Sequence, residues 1–269
     1  MIWIAVILGI VEGLTEFLPI SSTGHLIIAG HLLGFTGPAA ETFEIVIQLG
    51  AILAVVWEYR RHLTTVVAGV LRPSPDPESF GLARNLLIAF LPAAVAGFLL
   101  HGVIRDYLFG PISVAWALIV GGFVMLGVEA MQSKTEGGRV GSIMQISWGK
   151  ALAVGCAQTL ALFPGVSRAG ATIIGGMLSG LDRRTATEFS FYLAIPTMFA
   201  ATGYDLLKSW GSLSSDMLAP FAVGFALAFV SALVAVRSFI RFISHHDFRP
   251  FAWYRIVFGI VVLGYFLLI

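Results

Sequence analysis

A short apolar segment near the start of the chain carries two carboxylates, followed by three hydroxyls and a histidine. Glu12 and Glu16 are four residues apart, so a helix would place both on one face. Pro19 would end that helix, and the Ser-Ser-Thr-Gly loop at 21–24 would offer hydroxyls and free N–H groups before a second helix opens near His25. Because charged side chains are costly in an apolar segment, this pattern predicts a phosphate-handling site.

The acidic pair restricts how an anionic ligand could be bound. If Glu12 and Glu16 were both ionised and bare, they would repel a phosphate. Either one carboxyl is protonated and serves as an acid, or a divalent cation joins carboxylate to phosphate. Because carboxylates, hydroxyls and phosphate offer only oxygen ligands, the expected cation is Mg²⁺ or Ca²⁺.

The hydroxyls and the histidine leave the attacking group open. His25 lies close behind Ser22 in the sequence and could activate its hydroxyl for attack on phosphorus. It could also be the nucleophile itself, or the general acid. Ser21 and Thr23 fit helix caps and phosphate contacts equally well, and Gly24 adds backbone N–H groups to the same loop.

A second broken segment, 164–170, has the sequence Pro-Gly-Val-Ser-Arg-Ala-Gly and a similar character. The helix that follows such a loop points unpaired N–H groups and a partial positive charge at the loop. Two such helix ends facing each other would bind a phosphate or diphosphate. Arg168 adds a planar cation that suits phosphate oxygens, although an ordinary salt bridge to one of the two glutamates is the alternative. The other expected phosphate contacts in this segment are Gly165, Ser167 and Gly170.

The composition is that of an all-α polytopic membrane protein. The chain has 269 residues, of which 58% are hydrophobic and 12% charged, and the mean hydropathy is +0.91. Two apolar stretches, 1–34 and 150–180, are broken in the middle by proline and glycine and predict re-entrant helical hairpins whose breaks face inward. Six further stretches have the length of a membrane span; they lie near 41–57, 85–101, 112–131, 186–205, 219–236 and 251–268.

The distribution of basic residues orients these spans. When the spans alternate sides, twelve basic residues fall on one side and only Arg105 and Lys208 on the other. The rich side is expected to be cytoplasmic. Both termini and the mouth of the first hairpin are then extracytoplasmic, and the second hairpin enters from the cytoplasm. Arg168 falls at a hairpin tip and Arg255 just inside a span.

The two halves of the chain resemble each other at a nearly constant offset. The Pro-x-x-Ser pattern at 19–22 matches 164–167, and positions 115–127 match 252–264. We expect one membrane domain, 1–269, built of repeat 1 (1–131) and repeat 2 (147–269). Each half holds one hairpin and three spans, so the second copy runs the opposite way through the bilayer. Such an inverted-topology repeat with broken helices is typical of transporters.

Together, the motif Glu12-x-x-x-Glu16-Phe-Leu-Pro-x-Ser-Ser-Thr-Gly-His25 and the 164–170 segment resemble the two signature motifs of the bacterial undecaprenyl-pyrophosphate phosphatases, the bacitracin-resistance family. The resemblance covers the full length. It implies a metal-dependent enzyme of the bacterial inner membrane that removes the terminal phosphate of the C55 polyprenyl diphosphate on the extracytoplasmic side. That reaction would recycle the lipid carrier for cell-wall synthesis and confer bacitracin resistance.

The resemblance also implies roles for single residues. Glu12 and Glu16 would be the acidic pair that holds the metal, Ser22 and His25 the nucleophile and acid/base candidates, and Arg168 the phosphate ligand. The family commonly has serine where this chain has alanine at position 169, so any role of that hydroxyl is void here. The expected partners are polyprenyl diphosphate and membrane lipids, with a homodimer as a candidate assembly and no nucleic acid. A carrier or flippase for polyprenyl phosphate is the rival hypothesis, motivated by the inverted repeat.

Overall fold

The computed structural model describes residues 1–108, 110–132, 139–209 and 217–268, and these residues form α-helices and no strand. The side chains of Arg105 and Lys208, on which part of the charge argument rests, lie outside this description. The helices are α1 (Ile2–Thr15), α2 (Ser22–Leu32), α3 (Pro38–Val70), α4 (Pro77–Leu108), α5 (Pro111–Gln132), α6 (Trp148–Thr159), α7 (Arg168–Leu178), α8 (Arg183–Ser209), α9 (Leu218–Ile243) and α10 (Arg249–Leu268).

Five helices in the described chain, α3, α4, α5, α9 and α10, are long and apolar enough to cross a membrane, which makes this a multi-pass membrane protein. The sixth expected span, 186–205, falls within α8, which is 27 residues long but is not among the five. The polar side chains of α8 lower its hydropathy, and several of them are buried inside the protein. Thr185, Thr187 and Ser190 are each at most 2% exposed.

Both predicted helix breaks are present. The first loop (residues 16–21) separates α1 from α2, and the second loop (residues 160–167), which begins with a short 3₁₀ turn, separates α6 from α7. Because the ring of Pro19 excludes the carbonyl four residues earlier, α1 ends at Thr15. The following helix opens at Ser22, three residues before the predicted start near His25.

The two loops end in the same unusual backbone conformation. Ser21 (φ 68°) and Ser167 (φ 74°) are the described non-glycine residues with positive φ, and each is the N-cap of the following helix. In conformation and capping position Ser167 thus resembles Ser21, whereas the sequence comparison matched it to Ser22. Gly165, in the second loop, also has a positive φ of 92°, which a residue with a Cβ rarely adopts.

Small residues bring the first helix of each hairpin against a long helix. A Cβ at Gly9 on α1 would lie 2.5 Å from the carbonyl oxygen of Gly224 on α9. A Cβ at Gly155 on α6 would lie 2.5 Å from the carbonyl oxygen of Ala89 on α4. Close backbone approach of this kind is a common way for helices to associate in lipid, where the hydrophobic effect does not drive their contact. These contacts hold both loops inside the helix bundle.

Candidate active site

Glu16 lies where the two loops meet. One carboxylate oxygen, Oε2, accepts a hydrogen bond from the hydroxyl of Ser22, the first residue of α2. The other, Oε1, lies 3.1 Å from Nη2 of Arg168, the first residue of α7. The side chains of this ion pair are only 9% and 12% exposed. The two broken segments are thus in direct contact, as their sequences predict.

From the sequence, a salt bridge was the alternative to phosphate binding by Arg168. That salt bridge is present, and its partner is Glu16. Its Nη1 donates to the carbonyl oxygen of Ser190 at 3.2 Å, and its guanidinium lies 5.4 Å from the ring centroid of Phe17. Its Nε is buried and has no partner among the described residues. An unpaired buried donor costs free energy unless a ligand uses it. The salt bridge therefore leaves the Nε–H of Arg168 for an anionic ligand.

Glu12 is fully buried, and neither of its carboxylate oxygens has a hydrogen-bond partner in the described part of the chain. A buried carboxylate without a partner is unstable, so the group is either protonated or bound to a cation. Among the described residues, no three His, Cys, Asp or Glu side chains are placed to hold a metal ion. The two unpaired oxygens of Glu12 are of the ligand type that Mg²⁺ and Ca²⁺ prefer, and a site with few protein carboxylates suits Mg²⁺, which completes its shell with phosphate and water.

The sequence suggested that His25 pairs with Ser22, but in the structure the hydroxyl of Ser22 is bonded to Glu16. The imidazole of His25 is stacked on the ring of Phe258 of α10, 4.3 Å between centroids, and its two nitrogens have other partners. Nδ1 lies 2.7 Å from the carbonyl oxygen of Ser21, and Nε2 lies 2.6 Å from the hydroxyl of Tyr254. Because a carbonyl can only accept, we assign the proton to Nδ1, which leaves Nε2 as the acceptor facing Tyr254.

Of the remaining predicted site residues, some make structural contacts, and for the others the structure gives only their position and burial. The hydroxyl of Ser167 accepts from the backbone N–H of Gly170 at 3.1 Å, so it caps α7. Gly165 packs so closely on α5 that a Cβ there would lie 2.6 Å from the carbonyl oxygen of Val114. Ser21 occupies the N-cap position of α2 without a capping bond from its side chain. At the start of α2, Thr23 is half-buried and Gly24 is buried.

Two residues near the site were missed because they lie far along the chain. Tyr254 and Arg255 are adjacent on α10, and both contact the hairpin segments. An arginine inside an apolar span is by itself a signal of function, and that signal could have singled out Arg255. Nothing local to Tyr254 distinguishes it from the aromatic residues common at membrane interfaces.

The fold and the site define a class: a multi-pass helical membrane protein with a buried site of carboxylates, a hydroxyl and an arginine, made where two helical hairpins meet. The family model described as Bacitracin resistance protein BacA matches residues 5–261, and the chain belongs to this family.

Several curated relatives are similar over nearly the whole chain. A protein of Methylobacillus flagellatus named undecaprenyl-diphosphatase is 57% identical over 264 residues, covering 97% of both chains. Undecaprenyl-diphosphatase 2 of Rhodospirillum rubrum is 58% identical over 261 residues, covering 97% of this chain and 93% of the relative. Undecaprenyl-diphosphatase 1 of Paraburkholderia xenovorans is 57% identical over 262 residues, covering 96% and 93%.

Proposed function

We propose that this protein hydrolyses undecaprenyl diphosphate to the monophosphate and inorganic phosphate, and so recycles the lipid carrier for cell-wall synthesis and confers bacitracin resistance. The names of its relatives support this activity. The observation that carries the chemistry is the double contact of Glu16, with Ser22 from the first hairpin and Arg168 from the second. A carboxylate, a hydroxyl and an arginine in direct contact are a set suited to phosphoryl transfer.

Ser22 is the proposed nucleophile, with Glu16 as the group that accepts its proton. The serine oxygen attacks the terminal phosphorus, the bond from phosphorus to the bridging oxygen breaks, and polyprenyl monophosphate leaves with the electron pair. Water then hydrolyses the phosphoserine and releases inorganic phosphate. Arg168, together with the N-terminal N–H groups of α2 and α7, binds the negative charge of the transferred group.

Other groups support this reaction. A divalent cation held by Glu12 and Glu16, either Mg²⁺ or Ca²⁺, would neutralise phosphate charge when bound. His25 offers Nε2 as a proton acceptor next to Tyr254, which suits it to move a proton to or from the departing phosphate or the attacking water. Water as the direct nucleophile is the alternative to Ser22, and persistent turnover in Ser22→Ala would favour it. Transport of the lipid phosphate is the less favoured function, because carrying an anion requires no serine paired with a carboxylate.

For the membrane arrangement we propose six spans plus two re-entrant hairpins in an inverted repeat, with the site open to the extracytoplasmic side of the inner membrane. Reciprocal packing of α5 and α10 supports the repeat. A Cβ at Gly122 would lie 2.6 Å from Ile256, and a Cβ at Gly259 would lie 2.7 Å from Ile119. The offset that matches 115–127 to 252–264 also relates Gly122 to Gly259 and Ile119 to Ile256, so the two contacts are equivalent in the proposed repeat.

The test is release of inorganic phosphate from C55 polyprenyl diphosphate by detergent-solubilised, purified protein, with and without a chelator. We expect release that stops with chelator and returns when Mg²⁺ or Ca²⁺ is added. Glu12→Gln should abolish release, whereas Glu58→Gln, which changes a partly exposed glutamate paired with Arg237, should retain it. Purified protein that moves polyprenyl phosphate across liposomes without releasing phosphate from the diphosphate would reverse the assignment.

A further inference from the structure

Arg255 on α10 is 1% exposed, and its five guanidinium N–H donors all point to backbone carbonyl oxygens. No acidic side chain pairs with it among the described residues. The acceptors are Pro19 (3.0 Å) and Val166 (2.9 Å) for Nη1, Gly165 (3.0 Å) and Ala117 (3.1 Å) for Nη2, and Leu118 (3.4 Å) for Nε.

These carbonyls belong to the three segments that surround the site. Pro19 is in the first loop, Gly165 and Val166 are in the second loop, and the other two acceptors are on α5. Loop carbonyls inside a membrane have neither helix partners nor bulk water, so they must be satisfied by other donors. A single guanidinium satisfies both loops at once.

The contacts of Nη1 matter most, because they fix the distance between the loops. The carbonyl oxygens of Pro19 and Val166 both lie within hydrogen-bond distance of this one nitrogen, so they are at most about 6 Å apart. Val166 precedes Arg168 by two residues, and Pro19 precedes Ser22 by three. The nitrogen therefore ties together the backbone just before the proposed nucleophile and just before the phosphate-binding arginine.

We infer that Arg255 is a positioning residue: its guanidinium holds the two loops at the separation at which Ser22 and Arg168 act on the same phosphate. This role rests on the proposed function. Lysine keeps the charge but offers three donors, on a flexible stem and in no fixed plane, to five carbonyl oxygens, so at least two of them lose their partner. Misplacement of reacting groups by about 1 Å typically costs about a hundredfold in rate.

The kinetic test compares Arg255→Lys with Arg168→Lys and the double variant. We expect Arg255→Lys to lower kcat by about ten- to a hundredfold with little change in KM. Because Arg255 acts by placing Arg168, the two losses should not multiply in the double variant. Arg237→Lys, at an exposed ion pair with Glu58, is the matched control and should turn over normally. A normal kcat for Arg255→Lys, or losses that multiply in full, would overturn the role.

A second variant disturbs the guanidinium without removing it. A Cβ at Gly121 on α5 would lie 2.3 Å from Nη2 of Arg255, so Gly121→Ala should displace the side chain and lower kcat in the same way. Gly127→Ala on the same helix adds its methyl group in open space and should not. Equal activity of the two alanine variants would count against the role, and this comparison remains informative if Arg255→Lys does not fold.

Hydrogen exchange separates this inference from the proposed function. Backbone amides of 20–24 and 165–170 should exchange faster in Arg255→Lys than in the wild-type protein, while Arg237→Lys leaves them unchanged. Unchanged exchange in Arg255→Lys would refute the positioning role even if activity falls. If the wild-type protein released no phosphate, the proposed function would fail, but faster exchange would still establish that Arg255 holds the loops.

Discussion

Arg168 is the residue through which the second hairpin contacts Glu16 of the first. Replacing it with lysine keeps the charge and changes the shape, whereas alanine removes both. Its Nη1 and Nη2 already contact Ser190 and Glu16, and its Nε has no partner among the described residues. A planar guanidinium can keep these contacts and still donate to a phosphate. A lysine ammonium, with three donors and no fixed plane, cannot do both.

We therefore expect Arg168→Lys to be severely impaired and Arg168→Ala to be nearly inactive, both still folded and inserted. Loss of a preorganised donor to developing charge typically lowers kcat by about a hundredfold to a thousandfold. The measurement is phosphate release at saturating substrate, with Arg184→Lys, at an exposed ion pair with Glu188, as control. Near-normal turnover in Arg168→Lys would reduce the arginine to a counter-ion for Glu16, and normal turnover in Arg168→Ala would remove the second hairpin from the chemistry.

Tyr254 is a second test at the scale of the residue. Removal of its hydroxyl in Tyr254→Phe leaves Nε2 of His25 without its hydrogen-bond partner but keeps the aromatic ring beside Phe258. We expect kcat to fall by about tenfold, less than for His25→Gln, because proton transfer by a positioned base typically contributes a hundredfold or more. Tyr265→Phe on the same helix is the control. Unchanged kinetics in Tyr254→Phe would show that the tyrosine has no part in positioning the histidine.

At the scale of the element, the position of the acidic pair depends on how closely α1 approaches α9. Glu12 lies on α1 between Gly9 and Gly13, and both glycines face α9. A Cβ at Gly13 would lie 2.4 Å from the carbonyl oxygen of Ala228. The glycines thus let this face of α1, which also carries the buried Glu12, pack closely on α9.

Gly9→Ala should separate α1 from α9, because its Cβ would lie 2.5 Å from a backbone oxygen that cannot move aside. Overpacking of this kind typically costs about 1–3 kcal/mol of stability. We expect a lower midpoint of thermal unfolding in detergent, together with lower activity. Gly264→Ala on α10 adds its Cβ in open space and should leave the midpoint unchanged or slightly higher. Equal midpoints for the two variants would argue against close packing of α1.

At the scale of the whole molecule, the sidedness of the site follows from topology. The proposed topology has both termini outside and therefore predicts that position 208 is extracytoplasmic and position 139 cytoplasmic. After replacement of Cys156, which is exposed, a cysteine at 208 should react with an impermeant reagent added to sealed cells, and one at 139 should not. Equal labelling at both positions would reject the six-span arrangement and, with it, the outward opening of the site.

The sequence by itself determined the features that depend on neighbours along the chain. Apolar run length identified the membrane helices that α3, α4, α5, α9 and α10 confirm. The ring of Pro19 forced a break in the first hairpin, and the four-residue spacing of Glu12 and Glu16 made an acidic pair. These features follow from helix geometry and proline sterics, which act over a few residues.

Only the tertiary structure decided which side chains meet. It paired Ser22 with Glu16 instead of His25, turned His25 toward Tyr254, 229 positions away, and brought Arg255 to both loops. The sequence placed Ser22 and His25 together because they are close along the chain. Their contacts depend on where α10 packs against the hairpins, and that packing is set by the fit of small and large residues across helices, which no local pattern encodes.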